Sequence, residues 1–237
     1  MYEYLLGCGI LFVIWALLFF LRKNIRKQML WTGIVNSSLF IVLWILWLVP
    51  SWITSVTPAM IPSYWNPKSL FNFGQLSKGL TIEDVLFGFL VGGIVAVLYE
   101  YLLQKHVTRK PIYKRHYIAL VAYLASFLFL VLFMKTTTTF YPFLIATGIG
   151  AAVLAVQRHD LLSHMFVGGM SFMVVYFLGF QLFNLIFSGY VVSTWTLSNI
   201  SGVLILGIPL EEIIWAFLFG LMWSPFYEYE YGIADRG

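Results

Sequence analysis

Apolar residues fall in seven long runs along this chain: Tyr4–Leu21, Met29–Val49, Ile82–Leu103, Tyr117–Met134, Phe140–Val156, Met165–Phe187 and Val203–Tyr227. As a helix, each is long enough to cross a hydrocarbon core of about 30 Å. None alternates polar and apolar residues with a period of two, so the runs predict helices and not barrel strands. The loop Pro50–Thr81 is long, broken by Pro58, Pro62 and Pro67, and rich in aromatics (Tyr64, Trp65, Phe71, Phe73). It is expected at the membrane interface or folded back against the helices. The loop Ser188–Gly207 carries no charge, and its apolar end is broken by Gly202, Gly207 and Pro209. Proline suits the first turn of a helix, where its missing N–H costs nothing. The last span is therefore expected to begin at Pro209, with Val203–Leu206 a half-helix or re-entrant piece.

Composition agrees with membrane residence. Of 237 residues 61% are hydrophobic and 10% are charged, against about 25% charged in a soluble domain, and the mean hydropathy is +0.88. The first run reads as an uncleaved span. Glu3 precedes it, bases follow it, and no small-residue cleavage site appears. Gly7-x-Gly9 lacks the third glycine and the preceding strand of a dinucleotide fingerprint. The lone Cys8 lies inside an apolar run, so no disulfide framework is expected.

The net charge of +4 is too small to point to nucleic acid. It is the distribution of the bases that carries information. Arg22, Lys23, Arg26, Lys27, Lys105, Arg109, Lys110, Lys114, Arg115, Arg158 and Arg236 fall on one side of the predicted spans, and Lys68, Lys78 and Lys135 on the other. Eleven against three predicts an outer N-terminus and a cytoplasmic C-terminus.

Two runs open on a pair of carboxylates, Glu83-Asp84 and Glu211-Glu212. Glu83 is followed 16 residues on by Tyr99-Glu100, and Glu211 16 residues on by Tyr227-Glu228. Tyr2–Ile10 resembles Tyr141–Ile149, and Ser69–Gly74 resembles Thr196–Gly202. The prediction is an all-α integral membrane protein with seven transmembrane helices, two parallel three-helix repeats joined by one helix (3+1+3). Residues 1–104 form the first repeat, 105–139 the linker helix and its loops, and 140–237 the second repeat. Sites are expected where the halves meet. Ionisable groups at membrane depth are costly and are functional candidates.

At these residues the chain resembles the lycopene cyclase domain family of small membrane carotenoid cyclases. That family carries Pro-x-Glu-(Glu/Asp) at a helix start in each half. Pro209-Leu210-Glu211-Glu212 fits it fully, and Thr81-Ile82-Glu83-Asp84 fits without the proline. Tyr64-Trp65-Asn66-Pro67 resembles the family's Trp-x-x-Asn-Pro-like segment. The resemblance implies an isomerase-type enzyme that closes a ring at the end of a linear carotene with no net redox change.

Such chemistry needs a neutral carboxylic acid, a carboxylate, and apolar surroundings that tolerate a cation. Two neighbouring carboxyls in an apolar site do not easily both ionise, so they can divide the roles of acid and base. The catalytic candidates are Glu211, Glu212, Glu83 and Asp84. An aromatic ring within about 6 Å of a cation stabilises it by roughly 2 kcal/mol when desolvated. Trp215, Phe219, Trp223 and Phe87 share helix faces with the acids and are candidates to line the substrate. Asn199 and Asn72 are candidates too. The bland alternative is a structural network in which Glu211 and Glu83 cap neighbouring helix ends or bond Asn199 and Asn72.

Other classes compete. A proton-coupled transporter suits the same repeat, and a non-catalytic membrane protein is a third reading. A prenyl-peptide type protease needs an arginine four residues after the second Glu, where Ala216 stands, and no metal site is expected. No flavin or nicotinamide site is recognisable, and whether ring closure takes a reduced cofactor is left open. The expected partners are the bilayer and a hydrophobic isoprenoid substrate, with a homo-oligomer an open option.

Overall fold

The structure, a computed structural model, describes residues 2–103, 113 and 117–233. The bases Lys105, Arg109, Lys110, Lys114, Arg115 and Arg236 lie outside the described residues, as do His106 and His116. The long helices are α1 (Glu3–Leu21), α2 (Arg26–Ser51), α3 (Ile82–Leu103), α4 (Ile118–Phe133), α5 (Phe140–Gln157) and α6 (Leu162–Ile186). A small hairpin, β1 (Leu204–Ile205) and β2 (Ile208–Pro209), leads into α7 (Leu210–Trp223) and α8 (Phe226–Tyr231).

Among the described residues, five of the predicted runs are long and apolar enough to cross a membrane. They lie within α1, α2, α3, α5 and α6. The fourth run forms a helix of 16 residues, about 24 Å at 1.5 Å per residue. The seventh departs from its expected form. It is not one helix over Val203–Tyr227, because Ser224-Pro225 interrupts it after Trp223. Val203–Leu206 is no half-helix, since Leu204–Ile205 pairs antiparallel with Ile208–Pro209. Leu206 (φ 50°) and Gly207 (φ 83°) make the turn. Pro209 is the N-cap residue with extended ψ of 135°, and the helix begins one residue later.

The two acid-bearing helices pack by close approach. α3 lies against α2, and α7 against α6 and α5. Gly92 stands nine residues after Glu83, and Gly220 nine after Glu211. A Cβ on Gly92 would fall 2.7 Å from the Asn36 Cβ, and one on Gly220 would fall 2.7 Å from the Gly169 Cα. Small residues let membrane helices approach this closely and gain packing that lipid cannot supply. Between these bundles, α4 packs on α5 and α2, and α3 touches both α6 and α7.

The loop Pro50–Thr81 does fold back, onto the opposite loop. Asn66 N–H donates to the Thr194 carbonyl at 2.8 Å, and Thr196 N–H donates to the Tyr64 carbonyl at 2.8 Å. The bridge places Trp65 beside Trp195. At the other end of the helices Arg158 is buried. It is 1% exposed, with Nε and Nη2 donating to Asp160 at 2.7 Å each and Nη2 also donating to the Ile233 carbonyl at 2.6 Å. His164 is buried within α6 and stacked on Tyr99.

Candidate active site

The four carboxyls are buried, with exposures of 0% for Glu83, 7% for Asp84, 4% for Glu211 and 6% for Glu212. Both pairs sit in the first turn of their helix, a position that favours negative charge. The two helix starts are fixed differently. Before α7, Pro209 sets the backbone. Before α3 a reciprocal cap does the work. Thr81 N–H donates to Asp84 Oδ2 at 2.7 Å, and Asp84 N–H donates to Thr81 Oγ1 at 2.9 Å. This is a capping box with aspartate in the usual Glu position, and it accounts for a first motif that has no proline.

Within each pair the carboxyls differ. Glu83 Oε1 accepts the Leu70 N–H at 2.7 Å. Glu211 Oε1 accepts the Ser201 N–H at 2.8 Å and the Tyr141 hydroxyl at 3.3 Å. The Oε2 of each has no hydrogen-bond partner among the described residues. The second members use both oxygens. Asp84 Oδ1 accepts the Tyr4 hydroxyl at 2.8 Å, beside the Thr81 bond on Oδ2. Glu212 accepts three side-chain donors: Tyr64 at 2.6 Å and Trp195 Nε1 at 3.1 Å on Oε1, and Tyr176 at 2.6 Å on Oε2. Donors aimed at a carboxylate favour its charged form. Burial first, and then the Glu212 carboxylate, push the Tyr64 phenol well above the usual tyrosine range, so it remains a donor.

Aromatic rings fill the space between the pairs. Tyr4 meets Trp65 at 4.7 Å and Phe87 at 6.2 Å between ring centres. Phe87 lies 6.1 Å from Trp215, and Trp215 lies 5.2 Å from Tyr176 and 4.9 Å from Phe219. Trp65 meets Trp195 at 5.4 Å. One aromatic cluster thus runs from the tyrosine on Asp84 to the three donors on Glu212. The Trp215 Nε1 is buried without a partner among the described residues.

Of the residues singled out from sequence, Glu212, Trp215, Phe219 and Phe87 come together here. Glu211 stands beside them on α7. Trp223 lies deeper, 5.9 Å from Phe219 and 4.7 Å from Phe226, as part of the packing. The asparagines do not reach the carboxylates. Asn199 Nδ2 donates to the Ser63 carbonyl at 2.9 Å, and Asn72 Nδ2 to Gln75 Oε1 at 3.2 Å in an exposed turn. Tyr4, Tyr64, Tyr141, Tyr176, Trp65 and Trp195 are the residues that sequence reasoning left out of the site. Only Tyr64 and Trp65 carried a signal, in the segment before Asn66-Pro67. Among the described residues no group of three or more His, Cys, Asp or Glu side chains is placed to hold a metal ion.

Compared with known protein families, residues 2–102 and 135–230 match the family described as Lycopene cyclase. No curated protein and no solved structure matches the chain.

Proposed function

The chain belongs to the lycopene cyclase family, and we propose that it closes a ring at the end of a linear carotene by acid–base chemistry at Glu211 and Glu212. One observation carries this reading. Two neighbouring buried carboxyls have unlike surroundings, Glu212 with three donors and Glu211 with one oxygen unpartnered among the described residues. Two carboxyls in unlike environments divide into acid and base.

In this reading Glu211 is the neutral acid. It gives its proton to the terminal double bond and leaves a tertiary carbocation. The electrons of a neighbouring double bond attack that centre and form the ring C–C bond. Glu212, held as a carboxylate, balances the charge of the cation and takes a proton from the new ring. A double bond forms in its place, and the product is an isomer of the substrate. One proton passing from Glu212 back to Glu211 restores the start. No electron donor enters this balance. Trp215, Phe87 and Phe219 face the cation with π density and keep water from it.

The basic residues support an outer N-terminus, which puts the acids in the outer half of the bilayer. The family match to both ends of the chain and the twin acid motifs support a duplicated three-helix unit. The test is expression in cells that accumulate lycopene, followed by pigment chromatography. Cyclic carotenes are expected, and they disappear in Glu211→Gln and Glu212→Gln. Unchanged lycopene beside a well-inserted protein overturns the reading.

A further inference from the structure

The motif is duplicated, yet the two copies are built for different work. Asp84 spends one oxygen and its own N–H on the Thr81 cap, which holds the start of α3. Its other oxygen takes one tyrosine. Glu83 ties the long loop to the same helix start through the Leu70 N–H, as Glu211 ties its own loop through the Ser201 N–H, so the two copies part at their second members. Glu212 has no such duty. Its donors are three side chains from three places, Tyr64, Tyr176 and Trp195, and Pro209 has taken over the helix start. The aromatic cluster is also single. Tyr4, Phe87 and Trp65 on the Asp84 side join Trp215 and Trp195 on the Glu212 side without a break.

From this we propose that the chain holds one reaction centre, at Glu211–Glu212, with Glu83–Asp84 serving as scaffold. A substrate with two like ends is therefore closed one end at a time, and the monocyclic carotene leaves the site before its second end enters. The inference rests on the cyclase reading for its substrate and on geometry for its division of labour. An extended linear carotene cannot present both ends to one aromatic cluster at once. The second closure needs release and re-entry, or a turn of the molecule in the bilayer.

The experiment uses the full chain in lipid vesicles loaded with excess lycopene, sampled over time. Monocyclic carotene is expected first, with any bicyclic product following after a lag. Glu83→Gln and Asp84→Asn keep the cap and loop acceptors, and their initial rates are expected within about threefold of wild type, whereas Glu212→Gln loses about 100-fold or more. Melting of the detergent-solubilised protein supplies a readout without substrate. Asp84→Ala is expected to lower Tm by about 2–4 °C through loss of the cap, and Asp84→Asn to restore it.

Two results overturn the proposal. One is an Asp84→Asn or Glu83→Gln protein with wild-type Tm and a loss as deep as that of Glu212→Gln. The other is bicyclic product from the first time point with no free monocycle. If wild type leaves lycopene unchanged, it is the cyclase reading that fails. Melting then decides the scaffold role alone. A fall in Tm for Asp84→Ala that Asp84→Asn reverses supports it, and a Tm unchanged or raised by both substitutions, as at a strained functional residue, overturns it.

Discussion

Tyr64 and Glu212 lie 148 residues apart in sequence, and the phenol donates to the carboxylate at 2.6 Å. The loop of the first half thus reaches the acid of the second. A hydrogen bond to a charged group contributes about 1.5–3 kcal/mol. Tyr64→Phe is expected to cut turnover by roughly tenfold to a hundredfold, since 1.4 kcal/mol is a factor of ten. Tyr176→Phe should do the same, and the double variant more. Burial and the adjacent carboxylate keep the Tyr64 proton bound above the usual tyrosine range. Activity should therefore hold through the pH range in which exposed tyrosines ionise, near 10. Rates of the single and double variants in vesicles, across that pH range, check both expectations.

Glu211→Gln and Glu212→Gln remove the proposed acid and base in turn. General acid or base catalysis contributes about 10²–10⁴-fold, so each should abolish detectable ring formation in pigment extracts. Their combined loss should fall well short of the product of the two, because the residues serve one reaction cycle as a unit.

The glycine contacts make a prediction about packing. A Cβ at position 220 would stand 2.7 Å from the Gly169 Cα and 3.0 Å from the Gly168 carbonyl oxygen. Backbone must move to admit it, and overpacking of this kind costs about 1–3 kcal/mol. Gly220→Ala should lower the melting temperature in detergent. Gly148→Ala should leave it near wild type, since a Cβ there meets only the Leu218 methyls at 3.9–4.0 Å.

Arg158 is a third test of stability. Its buried guanidinium bonds Asp160 and the Glu228 and Ile233 carbonyls, and losing a hydrogen bond to a charged group costs about 1.5–3 kcal/mol. Asp160 is about a quarter exposed, so the lower end applies. Arg158→Ala is expected to reduce the yield of folded protein on size-exclusion chromatography. Arg158→Lys should rescue it only in part, since lysine cannot place two parallel N–H groups on one carboxylate.

The positions of the helices are legible in the sequence because lipid demands long apolar runs and closed backbone hydrogen bonding. Ile82–Leu103 is the same segment in both readings. The acids are legible for the reverse reason, as charge where charge is costly. The break at Ser224-Pro225 sits in an apolar context and leaves no mark in hydropathy. The partners of Glu212 are the larger loss. Tyr176 stands on an ordinary apolar helix, and Trp195 in one of two aromatic-rich loops. Nothing in their neighbours distinguishes them from the many aromatics that only pack. They become site residues by long-range contact, which no local pattern records. The asparagines show the opposite error, since polar residues near the acids in sequence turn out to serve the loops.

The Trp65–Trp195 bridge joins the two long loops through backbone hydrogen bonds on both sides. It amounts to a roof stitched across the acids from the loop side. Beneath a roof held by main chain Glu212 is only 6% exposed, and access from water is poor. For the proposed carotene substrate, what reaches Glu212 would be set by partition into the bilayer more than by concentration in solution. A water-soluble analogue of the substrate end group would be a weak competitor, however well its shape matched the aromatic cluster.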